Sequence, residues 1–469
     1  MGSSPDDDFH LTSTWCAWGD RAGACQQEKE TPLTVTVPRQ VAKSSACFSL
    51  RPGIGGYCTE HLASSNVSGV TRVNSNLYPG LYYKVAGLFV GPDVQRSVFV
   101  IRVFNVAVAS VLLLGVLLLT PAIQRRSYVL AFSVVGLPLG IYITASNNPS
   151  SWAFTGAAAF WVFLLLWQNG IGSAPGRRLA IIAIGLVISG AMLIGARADG
   201  AMLACVEVVV MFLIYGRVLA VASGNPRHAV LRLLPSVLAI LAAALVITST
   251  SQVAVNARGM EGIPPVDAEQ SWTHLLLQNF ISFPHLILGV VGGEPLGWLD
   301  TPMPAVVLFV GSLALGALLF VGLKDMWWQK GISLVVVLVP MVAIPMVVRQ
   351  LGRSISNGGG IQSRYLLPFL LFFVCVLLLT RIDPTNWSAS RLHRALFILG
   401  MSVSGAAAFR ANLERYAVDA NDHARTWAVL PLPPSLLILL VLVASGAFYW
   451  AVIRCAERLE PSGITCSTG

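Results

Sequence analysis

The chain has 469 residues, 55% of them hydrophobic and only 11% charged, with a formal net charge of +9 and a mean hydropathy of +0.70. Such values exclude an ordinary soluble domain. The apolar residues are gathered in bilayer-length runs, so the expected fold class is an all-α polytopic membrane protein.

Met1 to Arg96 reads as a polar first loop that opens with "SPDDDFH", places three consecutive aspartates at Asp6, Asp7 and Asp8, and contains "TPLTVTVP" (Thr31 to Pro38), which alternates like a short strand. It carries Cys16, Cys25, Cys47 and Cys58, an even number with three possible pairings; the sequence-local Cys16 to Cys25 and Cys47 to Cys58 arrangement is preferred. Spans are then expected at Ser97–Pro121, Ser127–Ala145, Trp152–Gly170, Leu179–Ala196, Gly200–Arg217 and Val230–Thr250, making residues 97–250 a first membrane block. Residues 251–303 form a second loop, in which Phe283 to Leu299, broken by Gly292, Gly293 and Pro295, reads as re-entrant or interfacial. A second block, residues 304–455, holds Pro304–Leu323, Ile332–Val348, Tyr365–Thr380, Ala395–Arg410 and Ser435–Ile453, and residues 456–469 form a cytoplasmic tail. The total is about eleven helices by the length criterion.

With the first loop outside, the inside connections carry Arg125/Arg126, Arg177/Arg178, Arg217/Arg227/Arg232, Lys324/Lys330, Arg381/Arg391/Arg394 and Arg454/Arg458, as the positive-inside rule requires. The basic excess is therefore topological, and no nucleic-acid partner is expected. Export of the first loop needs a preceding signal or anchor, so one further helix is expected upstream of Met1, with Asp6 just past its outer end. Because the inside loops carry little beyond Arg and Lys, chemistry is expected on the outer face of a multi-pass plasma-membrane protein. Walker and dinucleotide-binding glycine patterns are absent from the sequence, which disfavours nucleotide-driven transport.

Clustered carboxylates at a helix end suit a divalent metal such as Mg or Mn, or a general base beside a metal-bound neighbour; the bland alternative is a solvated acidic turn after Pro5. "YPGLYY", with Tyr78 and Tyr82, is either an aromatic belt or part of a substrate groove. Arg197 and Asp199 share a tight turn, as do Asn147 and Asn148; an ion pair capping two helices and a phosphate-binding Arg197 are both open readings. In "QSRYLLP", Arg364 and Tyr365 follow the glycine-rich loop Asn357 to Gly360, with Arg349 and Arg353 nearby, a pattern suited to phosphate. Glu207 is the one charged residue read as well inside a span.

The ordered set "SPDDDFH", "YPGLYY", "SNNPSSWAFTGAAAFW" and "SRYLLPFL" resembles the actinobacterial membrane proteins grouped as domain of unknown function 2142. That group is in turn similar to the GT-C superfamily of polyprenyl-phosphate-sugar-dependent glycosyltransferases. The resemblance implies a GT-C-like helical membrane fold, an acidic motif in the first outer loop, a lipid-phosphate-linked sugar donor and often a divalent cation. Carried onto this chain, Asp6, Asp7 and Asp8 are the catalytic motif, with Asp7 as base and Asp6 or Asp8 on a metal. Arg364, with Arg197 or Arg353, would take the donor phosphate, and His10, Tyr78, Tyr82, Asn147, Asn148 and Tyr365 would line the substrate groove. The expected activity is an inverting transfer of sugar to a cell-envelope glycan or glycolipid. Acceptor recognition would come from Met1 to Arg96 and Ser251 to Met303. The alternative is a non-catalytic transporter or flippase of a lipid-linked envelope precursor; a third reading is a structural partner of an envelope synthase.

Overall fold

The computed structural model describes residues 2–28, 34–51, 53–61, 67–221, 226–252, 272–350, 361–380, 390–418 and 432–457. Among them are 10 helices long and apolar enough to cross a membrane. The chain is a multi-pass membrane protein.

A small cap is built first: α1 (Asp7–Trp15), strands β1 (Gln26–Gln27) and β2 (Val35–Pro38), α2 (Arg39–Ala42), strand β3 (Val67–Val70) and α3 (Leu81–Ala86). The strands form an antiparallel sheet in the order β1-β2-β3, with Gln27 opposite Val35 and Thr36 opposite Gly69. Within the expected strand, Val35 to Pro38 is extended, while Thr31 to Leu33 lie outside the described residues. The cap is stapled by Cys16–Cys25 and Cys47–Cys58. Arg415 ties the second staple to the bundle, donating to the carbonyls of Phe48 and Ile54 (both 2.8 Å) and to Asp300.

The bundle follows as α4 (Val94–Leu119), α5 (Ala122–Val135), α6 (Leu139–Thr144), α7 (Pro149–Gly170), α8 (Gly176–Ala196), α9 (Ala198–Val221), α10 (Pro226–Ser249), α11 (Trp272–Leu288), α12 (Ala305–Leu323), α13 (Trp328–Gln350), α14 (Leu367–Leu377), α15 (Arg391–Ala417) and α16 (Pro434–Glu457). At its centre is α7, which packs against α4, α6, α8, α9 and α14 and has 94% of its apolar window buried. Small residues make this possible, because close helix packing in lipid relies on them. A Cβ on Gly156 would lie 2.5 Å from the backbone nitrogen of Leu193 in α8. Peripheral helices instead expose large apolar side chains such as Leu118, Val187, Phe309 and Phe320, the pattern of helices solvated by lipid.

The expected spans need three corrections. Ser127–Ala145 is two pieces, α5 and α6, because Gly136 ends one helix and Pro138, which lacks an N–H, begins the next. Tyr365–Thr380 yields only α14, 11 residues after a 3-10 turn at Ser363–Tyr365; about 16 Å of helix cannot cross a core of about 30 Å. Phe283–Leu299, read as short and as re-entrant or interfacial, begins inside a longer apolar stretch, Leu276–Gly293, that has the length and composition of a span; the expected break is present, since Val291 and Gly292 leave helical geometry and Glu294 is extended. Gln278 and Asn279 had cut the apolar run short in the sequence. Lys330, counted among the loop cations, is fully buried, and its ammonium donates to the carbonyls of Gly322, Asp325 and Leu379 at 2.8–2.9 Å.

The α7–α8 contact yields a paired test. Gly156→Val should lower the melting temperature of the purified protein by several degrees, consistent with overpacking costs of about 1–3 kcal/mol. Gly316→Val, where a Cβ meets nothing within 4 Å, should leave it within about a degree, as expected for an open position.

Candidate functional site

The aspartate motif does not project from the cap; it is strapped across one end of the bundle. Trp298 Nε1 donates to the Gly2 carbonyl (2.8 Å), Tyr142 and Tyr416 donate to that of Ser3, and Asn148 Nδ2 donates to that of Pro5 (3.1 Å). Gly2 has φ +76, and a Cβ there would overlap the Ser44 carbonyl at 2.2 Å, so the strap starts on a residue that only glycine suits. Asp6 adopts a left-handed conformation (φ 58) as the N-cap of α1, turning the three carboxylates into different surroundings.

Asp6 accepts from Arg364 Nη2 at 2.7 Å, has Arg72 at 3.6 Å, and keeps 35% of its side chain exposed. Burial works to raise its pKa, but Arg364 foremost outweighs it and holds the carboxyl below its ordinary value. Asp7 has no exposed surface; it accepts from the Ser4 amide at 3.1 Å, with Arg102 at 3.4 Å. Burial dominates there and pushes its pKa up to about 6, against the opposing pull of Arg102. Asp8 pairs with Arg72 and is 21% exposed; burial, only partly countered by Arg72, raises its pKa.

Arg364, almost wholly buried, also donates to the Tyr365 hydroxyl at 3.0 Å. Its Nε and Nη1 have no partner among the described residues. The residue helps to line a cavity of about 10 Å³, room for a single water, together with Ser150, Arg197, Asp199 and Tyr365. The Ser150 hydroxyl is likewise buried and unpartnered. Arg197 makes a forked pair with Asp199 at 2.9 and 3.0 Å and lies over the rings of Tyr365 (4.6 Å) and Tyr78 (5.3 Å). The ion-pair reading of this turn therefore holds, yet the guanidinium still borders the cavity.

His10 is buried and shares a 2.8 Å hydrogen bond with the Tyr83 hydroxyl. Burial lowers its pKa to about 3, so the imidazole is neutral at physiological pH. Tyr78 stands half-buried against His10 and Arg197, and burial raises its phenol to about 12. Tyr82, expected in the groove, is wholly buried and packs edge-on against Trp152 at 5.3 Å. Asn148 caps α7 through Ser150 N (2.9 Å) and holds Pro5. Asn147 is buried with both amide atoms unpartnered. Arg353 and the Asn357 to Gly360 loop lie outside the described residues.

The structure adds three residues that the sequence reading did not select. Arg72 bridges Asp6 and Asp8 from a loop with no pattern to mark it. Arg102 sits inside α4 and reaches Asp7; a charge within an expected span was a usable signal. Glu294 accepts from Ser363 N at 2.6 Å and lines a second narrow cavity with Arg364 and Pro5; burial raises its pKa.

Among the described residues no group of three or more His, Cys, Asp or Glu forms a metal-ligand cluster. Asp6 and Asp8 share Arg72 between them, so the donor set as arranged is short of the oxygen shell that Mg or Mn takes. The positive charge beside them is supplied by guanidinium groups.

The buried Asp7 yields a pH test. Because its folded pKa lies above its unfolded value, its contribution to stability is present below about pH 4 and is lost as pH rises through about 6, a term on the order of 3 kcal/mol. Asp7→Asn has no such titration. The melting temperature of the variant minus that of the parent, measured from pH 4 to pH 8, should rise across that window and then level off.

No curated protein matches the chain. Residues 1–373 match the family described as "Predicted membrane protein (DUF2142)", and the chain belongs to that family of membrane proteins, domain of unknown function 2142.

Proposed function

We propose that the protein is an inverting GT-C-type glycosyltransferase. It moves a sugar from a polyprenyl-phosphate donor to an envelope glycan or glycolipid at the outer face of the plasma membrane. The observation that carries this reading is the state of Arg364: one nitrogen is committed to Asp6, while two other buried nitrogens have no acceptor among the described residues. A buried donor without a partner costs free energy, and an anionic oxygen beside it would recover that cost. Ser150 and the N-terminus of α7 adjoin the same cavity, and both favour an anion. Admitting a phosphoryl group requires that narrow cavity to widen.

The chemistry follows from the adjacency. An acceptor hydroxyl oxygen attacks the anomeric carbon of the donor as the bond from that carbon to the phosphate oxygen breaks. The bonding pair leaves with the lipid phosphate, and the hydroxyl proton passes to a carboxylate. Asp6 fits the base role better than Asp7, being ionised and partly exposed while Asp7 is sealed. Arg364 then faces the base and the departing phosphate at once, with Arg197 adding positive charge. His10 stays neutral and positions Tyr83 and Tyr78.

The competing reading, a carrier for a lipid-linked precursor, uses the same arginines without needing a base. Sugar transfer from polyprenyl-phosphate donors in membranes separates the two. Asp6→Asn should reduce transfer by about 10²–10⁴-fold, the range for a lost general base. Arg364→Ala should reduce it by about 10²–10³-fold, the range for a lost stabiliser of developing charge. Transfer by Asp6→Asn at the parent rate would sink the enzyme reading and favour the carrier.

A further inference from the structure

The cap contains a larger cleft that the donor chemistry above does not use. It measures about 320 Å³ and is lined by Asp8, Thr12, Thr34, Lys43, Thr71 and Arg72. Gly69 and Val70, on β3, complete one wall with Ala42. Strand β3 is at the edge of the sheet, so among the described residues its outer side has no strand partner. The cleft is at the small end of the size range of ligand sites, about the scale of a short saccharide.

Its chemistry is mixed and hydroxyl-rich. Three threonines, an aspartate, a lysine and an arginine line a space whose other lining residues are only Ala42, Gly69 and Val70. A peptide strand would need apolar pockets for its alternate side chains, and a polyanion would meet the Asp8 carboxylate. A neutral sugar ring presents hydroxyls that both donate and accept around its whole edge, and this lining answers both. The cleft also leads to the proposed reaction centre: Asp8 is ion-paired to Arg72, which lies 3.6 Å from Asp6. Both disulfides and the buried Arg415–Asp300 pair hold the surrounding cap, which favours a preformed site.

We infer that this cleft is a saccharide-binding subsite that receives the neutral, hydroxyl-rich end of the acceptor and presents a hydroxyl toward Asp6. The assignment to an acceptor rests on the glycosyl-transfer reading; saccharide binding itself does not.

The test uses the full chain in lipid nanodiscs, with maltotriose, cellotriose and mannotriose as probes and sorbitol as an open-chain control. Saturation-transfer NMR should show saturable binding of at least one trisaccharide and none of sorbitol. Thr71→Trp, which fills the cleft from an exposed position, and Lys43→Ala should each weaken binding at least tenfold. In a second arm, transfer from the polyprenyl-phosphate donor to the bound trisaccharide should fall at least tenfold in Thr71→Trp. No saturable binding in the parent, or equal binding or transfer after the cleft is filled, overturns the inference. Cleft-dependent binding without donor turnover in the parent upholds the saccharide site and sinks the transfer reading instead.

Discussion

Arg364 is a permanently charged group with almost no access to water, and such a charge has to be met by an opposite one inside the protein. The partner it takes is Asp6, 358 residues away in the chain. That single requirement draws the N-terminal strap into the bundle. Once Asp6 is there, Ser3 and Pro5 fall within reach of Tyr142, Tyr416 and Asn148, and Asn148 is the cap of α7, the most buried of the candidate spans among the described residues. The ion pair thus links the first residues of the chain, the central helix and the start of α14.

The same constraint separates three adjacent, identical side chains into different chemical states. Asp6 is kept ionised by a buried guanidinium, Asp7 is sealed against Arg102, and Asp8 shares Arg72 at the edge of the cleft. Divergent environments for neighbouring carboxylates are what acid–base chemistry draws on. Pairing with Asp6 uses one nitrogen of Arg364 and leaves two buried nitrogens without a partner among the described residues, in a side chain that lines a cavity with Ser150.

Legibility in the sequence followed the range of the interaction. Long apolar runs such as Val94–Leu119 and Pro434–Glu457 were readable because lipid imposes a length and a composition on each helix separately. The reading failed where a local breaker competed with hydropathy. Gly136 and Pro138 divide one expected span, and the polar pair Gln278 and Asn279 conceals the length of another. Within the site, Arg364, Arg197 and Asp6 could be selected from motif chemistry. Arg72 and Glu294 could not, since nothing in their neighbourhoods distinguishes them from other loop charges. Tyr82 illustrates the reverse: an aromatic chosen for the groove is needed in the packing against Trp152.

By itself the sequence determined a membrane-spanning helical chain and a cysteine-bearing polar segment before the first long span, and it marked an acidic motif and late arginines as candidate residues. Those features depend on composition and near neighbours, which are written directly in the order of residues. Only the tertiary structure decided which aspartate faces which arginine, that α7 is the centre of the bundle, and that a cleft opens beside Asp8. Each of these depends on groups far apart in sequence meeting where water is scarce, and there the need to pair buried charge and fill space chooses among contacts that the sequence alone leaves equivalent.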